Sequence, residues 1–146
     1  MQIVLQRVKS ASVCVDKQIV GSIDAGFLLL VGIEKTDSEQ IIEKNARKIV
    51  NFRVFEDEQG KMNENILQSG GAILSVSQFT LCANMDKGNR PGFDQAALPE
   101  VAIPLFDLFI EHLKSFGIKV ETGTFGAHME VSLVNDGPVT FIINHK

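Results

Sequence analysis

The sequence predicts an α/β fold: one domain over residues 1–146, built on a mixed, largely antiparallel sheet with two main helices packed against it. Three observations carry this prediction. Short apolar runs separated by turn-forming residues recur through the chain, as strands do. Two segments, around 41–50 and 101–116, instead repeat their apolar residues at helical spacing. No repeat, low-complexity segment or linker interrupts the 146 residues, a length that supports one hydrophobic core and not comfortably two.

Taken in order, residues 2–8 place Ile3, Leu5 and Val8 around Val4, and 11–15 follow Lys9 and Ser10, which reads as two short strands. Asp16 and Lys17 turn the chain into 18–23, and Asp24, Ala25 and Gly26 turn it again into 27–33. The continuous run FLLLVGI predicts a strand covered on both faces. An antiparallel meander is the economical arrangement of these strands. Thr36 and Glu39 fit a capping box that opens the first helix. Its apolar stripe is Ile41, Ile42, Ala46, Ile49 and Val50, and Glu43, Lys44, Arg47 and Lys48 are left to water. A short strand at 52–55, an acidic turn at 56–60 and a loop through Asn63, Glu64 and Asn65 precede the stretch GAILSVSQFTL.

That stretch, residues 71–81, changes character halfway. Ala72, Ile73, Leu74 and Val76 read as a buried strand, whereas Ser77, Gln78 and Thr80 set polar groups around Phe79 where a rigid sheet can aim them. Residues 82–95 lose all periodicity and read as a loop. Pro99 and Glu100 open the second helix, with Val101, Leu105, Leu108, Phe109, Leu113 and Phe116 on one face, Pro104 near its start and Gly117 at its end. Strands at 118–122, 130–134 and 139–143 complete the sheet.

The net charge of −4 and pI near 5.3 have the wrong sign for a broad duplex-binding surface. A local basic patch gripping one end of a nucleic acid is compatible with them, and Lys87 and Arg90 are its candidates. No stretch has the roughly 18 apolar residues that cross a bilayer, and no signal peptide is apparent, which predicts a cytoplasmic protein without membrane association. Cys14 and Cys82 lack any ligand spacing and read as reduced, packed thiols. No metal site or cofactor is expected.

Thr80 has two readings. As a nucleophile it needs a base within reach, and no His, Asp or Glu lies between Ser77 and Leu81; as a structural hydroxyl it satisfies a strand-end hydrogen bond. Backbone amides at a broken strand end are the better candidates for stabilising a developing oxyanion. Gln78 either orients substrate or water, or is a solvated amide. His112, His128 and His145 show no triad or metal spacing, and only His128, in GAHME, deserves notice. Asn135, Asp136, Gly137 and Pro138 are explained by a turn between two strands; the sharper alternative is a cis Gly137–Pro138 bond, with successive carbonyls facing the same way to receive an ammonium group.

SVSQFTL at 75–81, KGNRPGF at 87–93 and VSLVNDGPVT at 131–140 resemble motifs of the D-aminoacyl-tRNA deacylases, the D-Tyr-tRNA deacylase family. So do MQIVLQRVKSASVCVD at the start, ARKIVNFRVFEDEQGKMN in the middle and ETGTFGAHMEVS before the last motif, so the resemblance spans essentially the whole chain. It implies a homodimer of a small barrel-like α/β domain that hydrolyses the ester between a D-amino acid, or mischarged glycine, and the 3′ end of tRNA. It further implies that Ser77, Gln78, Phe79 and Thr80 line the catalytic pocket, with amides near Phe79 and Thr80 facing the scissile carbonyl. A cis Gly137–Pro138 would enter the partner's site and exclude L-amino acids, with Asn135, Thr140, Met129 and a bracing Arg7 in the selecting group. The terminal ribose 2′-OH would help activate water, so no side-chain base is required. Lys87 and Arg90 would touch the tRNA. Gly92 departs from the family's usual Ser. Against this hydrolase stand two other classes: a non-catalytic RNA-binding module, and an esterase acting on simple D-amino-acid esters.

Overall fold

The structure is a computed structural model describing residues 1–86 and 88–144; Lys87 and His145, singled out in the sequence, lie outside the described residues. Its elements are β1 (Gln2–Val15), β2 (Gln18–Ile23), β3 (Gly26–Gly32), α1 (Glu39–Val50), β4 (Phe55–Glu56), β5 (Met62–Glu64), α2 (Ile66–Ser69), β6 (Ala72–Ser77), α3 (Pro99–Ser115), β7 (Val120–Thr122) and β8 (Glu130–Asn144). The main sheet runs β2-β1-β3-β6-β7, with β8 on the other edge of β1. Pairings to β1 are antiparallel, while β3–β6 and β6–β7 are parallel. The sheet is therefore mixed, as predicted.

It also curls until its ends nearly meet. A Cβ built on Gly21 of β2 would lie 2.4 Å from the Thr122 carbonyl oxygen of β7, so only glycine lets these two backbones approach. The result is a nearly closed barrel-like sheet. β3 explains its own unbroken apolar run: Phe27, Leu29 and Val31 pack under the helices with Ile42, Ile49, Phe106 and Phe109, whereas Leu28 joins Val8, Val13, Leu74 and Val76 on the opposite face.

Several elements depart from the sequence prediction. The two opening strands are one 14-residue strand. Its first half pairs with β3 and its second half with β2, so β2 and β3 share one edge of β1 and the meander does not form. α1 begins at Glu39 after an N-cap Ser38 that makes no side-chain cap. Thr36 cannot close a box there, and neighbouring Asp37 is committed to the Glu34 N–H and the Met1 ammonium. A capping box does form at Asn65 and Gln68, opening α2 in a stretch expected to be loop. Of residues 52–55 only Phe55 enters a strand, in the β4–β5 hairpin.

α3 buries Ala102, Phe106, Phe109, Ile110 and Leu113. Its stripe is thus rotated from the predicted one: Val101 is exposed, and Leu105, Leu108 and Phe116 only flank the core. The segment PEVAIPLFDLFIEHL is apolar almost all round, so spacing alone selects no single face. Pro104 is accommodated within the helix. Finally, the residues read as a turn at 135–138 lie inside β8, a single strand of 15 residues, and the Gly137–Pro138 bond is cis, which is the alternative reading. Among the described residues no helix is long and apolar enough to cross a membrane.

Candidate active site

Parallel strands β3 and β6 end side by side, with Val31 opposite Ser77. The Gln78 N–H still donates to the Val31 carbonyl at 2.7 Å, but the chain then leaves the ladder for a tight 3₁₀ turn, Phe79–Cys82. Beyond β3, Lys35 N–H donates to Gln95 O and Ala97 N–H to Ile33 O, which draws residues 95–98 alongside the sheet end. The loop at 125–129, leading into β8, supplies the third wall. Between them lies a cavity of about 530 Å³.

Its lining is mostly apolar, with Ile33, Val76, Ala96, Phe125, Met129 and Val131 among the wall residues and Ser77, Gln78 and His128 as the polar side chains. Phe79 and Phe93 line it as an edge-to-face pair, ring centroids 5.0 Å apart, and Phe79 is 56% exposed. The exposed part of the Phe79 ring leaves an aromatic face open to a flat group. Among the described residues, neither the Phe79 N–H nor the Thr80 N–H has a hydrogen-bond acceptor. These two unengaged donors sit where the strand ladder has ended.

Thr80 itself does not line the cavity. Its hydroxyl accepts a hydrogen bond from the Gln78 side-chain amide, which is no base. The nucleophile reading therefore finds no activating partner among the described residues. Behind the turn, the buried Cys82 thiol donates to Ile33 O at 3.7 Å. Burial, and then the Glu34 carboxylate, push its pKa up to about 11, so it is a protonated packing group at neutral pH.

The chain as a whole is similar to known proteins. The family model for D-Tyr-tRNA(Tyr) deacylase matches residues 4–144. The chain belongs to that family. The D-aminoacyl-tRNA deacylase of Dichelobacter nodosus is 57% identical over 137 residues, covering 94% of each chain. The solved structure of the c-Myc DNA Unwinding Element Binding Protein superposes with a TM-score of 0.94 at 39% identity, covering 100% of this chain and 99% of that one. A probable eukaryotic D-amino acid tRNA deacylase shares the fold, with a TM-score of 0.84 at 16% identity over 97% of each chain.

The residues singled out in the sequence divide between two places. Ser77, Gln78, Phe79 and Met129 are at the cavity, while Arg7, Asn135, Gly137, Pro138 and Thr140 are absent from its lining. Between the pairs Gln6–Thr140 and Val8–Asn135, β1 has one residue and β8 has four, so residues 136–139 bulge around Arg7. Arg7 is buried and donates from Nε to the Asp136 carbonyl at 3.2 Å. Gly137 has φ +130°, and a Cβ there would lie 2.7 Å from Val139 Cγ2, so the position requires glycine. Gly137 and Pro138 are both exposed. Arg90 is exposed in the loop before α3.

Sequence reasoning did not place Phe93, Phe125 or residues 96–98 at a cavity wall. Two signals were present: Phe93 closes the KGNRPGF motif, and the glycine-flanked TFGAH run holds the ring and imidazole that the fold carries to the cavity.

Proposed function

We propose that the protein is a D-aminoacyl-tRNA deacylase, hydrolysing the ester that joins a D-amino acid, or mischarged glycine, to the 3′ adenosine of tRNA in the cytoplasm. The observation that carries this reading is the pair of unengaged amides, Phe79 and Thr80, beside an apolar cavity walled by exposed rings. The ester carbonyl lies toward these N–H groups, which stabilise the oxyanion as it forms and bring no proton of their own to titrate. Water adds to the carbonyl carbon, the bond to the ribose 3′ oxygen breaks, and that oxygen takes the proton to leave free tRNA and amino acid. The vicinal 2′-OH assists the water, in keeping with the lack, among the described residues, of a side-chain base on Thr80. Ser77 and Gln78 line the approach, Phe79 and Phe93 offer aromatic faces to the terminal base, and Lys87 and Arg90 meet the acceptor-end phosphates.

Stereochemical selection belongs to a second copy. The exposed Gly137–Pro138 segment, outside its own chain's cavity, reaches into the partner's cavity, where main-chain carbonyls hold the substrate ammonium and leave no room for an L side chain. Asn135, Thr140 and Arg7 shape and brace this selector, and Met129 lines the cavity that receives it. Two features support a homodimer: β8 presents an edge that pairs with no strand among the described residues, and Val134 and Ile142 on it are 54% and 73% exposed.

Deacylation of paired D- and L-tyrosyl-tRNA tests the proposal. The D-ester is released and the L-ester is spared. Comparable turnover of both, or RNA binding with no cleavage, overturns it, and cleavage of simple D-amino-acid esters at the same efficiency without tRNA would make it a small-molecule esterase.

A further inference from the structure

The guanidinium of Arg7 is held from two directions. On one side Nε donates to the Asp136 carbonyl and lies 3.3 Å from the Asp136 carboxylate. On the other, Nη1 donates to the Val54 carbonyl at 2.7 Å in a fully buried bond, and Nη2 faces the Glu56 carboxylate at 3.7 Å. Val54 and Glu56 belong to the entry of the β4–β5 hairpin, which has no residue in the cavity. That hairpin is itself anchored: Phe55 stacks on the buried Phe27 at 5.0 Å, and Arg53 bonds to the Asn63 side chain and carbonyl.

A planar, forked cation held at several N–H groups has little freedom to turn. Gly137 lies next to it, with the position of a Cβ only 3.5 Å from Arg7 Nη2. We propose that the β4–β5 hairpin, through the Val54 carbonyl and the Glu56 carboxylate, sets the position of the Asp136–Gly137–Pro138 bulge, and that Glu56 is a positioning residue for enantiomer selection. The inference rests on the selector reading above and adds to it a distant control element. If the hairpin loosens, Arg7 swings, the bulge shifts, and the L-ester gains entry before D-ester turnover suffers.

The test compares D- and L-tyrosyl-tRNA deacylation in wild type, Glu56→Arg, Phe55→Leu and Arg7→Lys. Glu56 is 59% exposed at its side chain, so a folded Glu56→Arg protein is expected, checked by its Tm. Placing a like charge against Arg7 lowers the D/L rate ratio by about five- to tenfold, mainly through faster L-ester cleavage. Phe55→Leu lowers the ratio in the same direction by removing the hairpin's stack on Phe27. If Arg7→Lys relaxes the ratio while Glu56→Arg and Phe55→Leu stay within about twofold of wild type, the hairpin has no part in selection, although the selector reading survives. If wild type itself shows no D/L preference, it is the selector reading that fails. A parallel fall of both rates at constant ratio also overturns the positioning role.

Discussion

At the scale of single residues, Thr80 marks where side-chain chemistry and main-chain chemistry part company. The hydroxyl is exposed, outside the cavity and tied to Gln78, whereas the amide of the same residue is unengaged. Thr80→Ala removes the first and keeps the second. We expect kcat/KM on D-tyrosyl-tRNA to stay within about fivefold of wild type; a loss beyond about a thousandfold in a folded protein would return the hydroxyl to the role of nucleophile. The motif SQFT was legible in the sequence as a polar break after an apolar run. Which of its atoms face a substrate was not, because that depends on the 3₁₀ turn that follows Gln78.

At the scale of elements, the unexpected feature is how much β1 organises. Its 14 residues serve β3 with one half, β2 with the other and β8 along nearly the whole length. Lys9 and Ser10 looked like a break between strands, and they do coincide with a register shift, but β8 spans it and keeps the strand whole. Closure of the sheet depends on the contact of β2 with β7. Gly21→Ala drives a methyl to 2.4 Å from a backbone oxygen that cannot rotate away. The strands must separate, at a cost of about 1–3 kcal/mol, read as a lower midpoint in urea with the m-value unchanged. An unaltered midpoint would show that the two edges do not touch. The α3 stripe and the Asn65 capping box were hidden for opposite reasons. The helix is apolar on too many sides to show one face, and the cap belongs to a helix of only four residues, too short for periodicity to reveal.

At the scale of the whole molecule, the cavity and the Gly137–Pro138 segment sit on separate parts of one chain, and the function proposed above has a second copy bring them together. On β8, Ile142 and Val134 are exposed. A charge at the more exposed of the two tests the assembly: Ile142→Lys is expected to shift sedimentation from dimer toward monomer, and to cut D-ester turnover and D/L discrimination together at dilutions where the dimer separates. A monomer that still discriminates enantiomers would refute the shared site.

Most residues of the central sheet, both main helices, the polar end of β6 and, through its motifs, the family could be read from the chain alone, though not how many strands those residues make or how they connect. These are local properties, written in the spacing of apolar residues and in short strings. It took the folded chain to show that residues 136–139 form a bulge around Arg7 and not a turn, that Phe93 and Phe125 meet Phe79 at one cavity, and that β2 and β3 share an edge. Each of these joins residues far apart in the chain, and register, closure and burial arise from such contacts rather than from any stretch read alone.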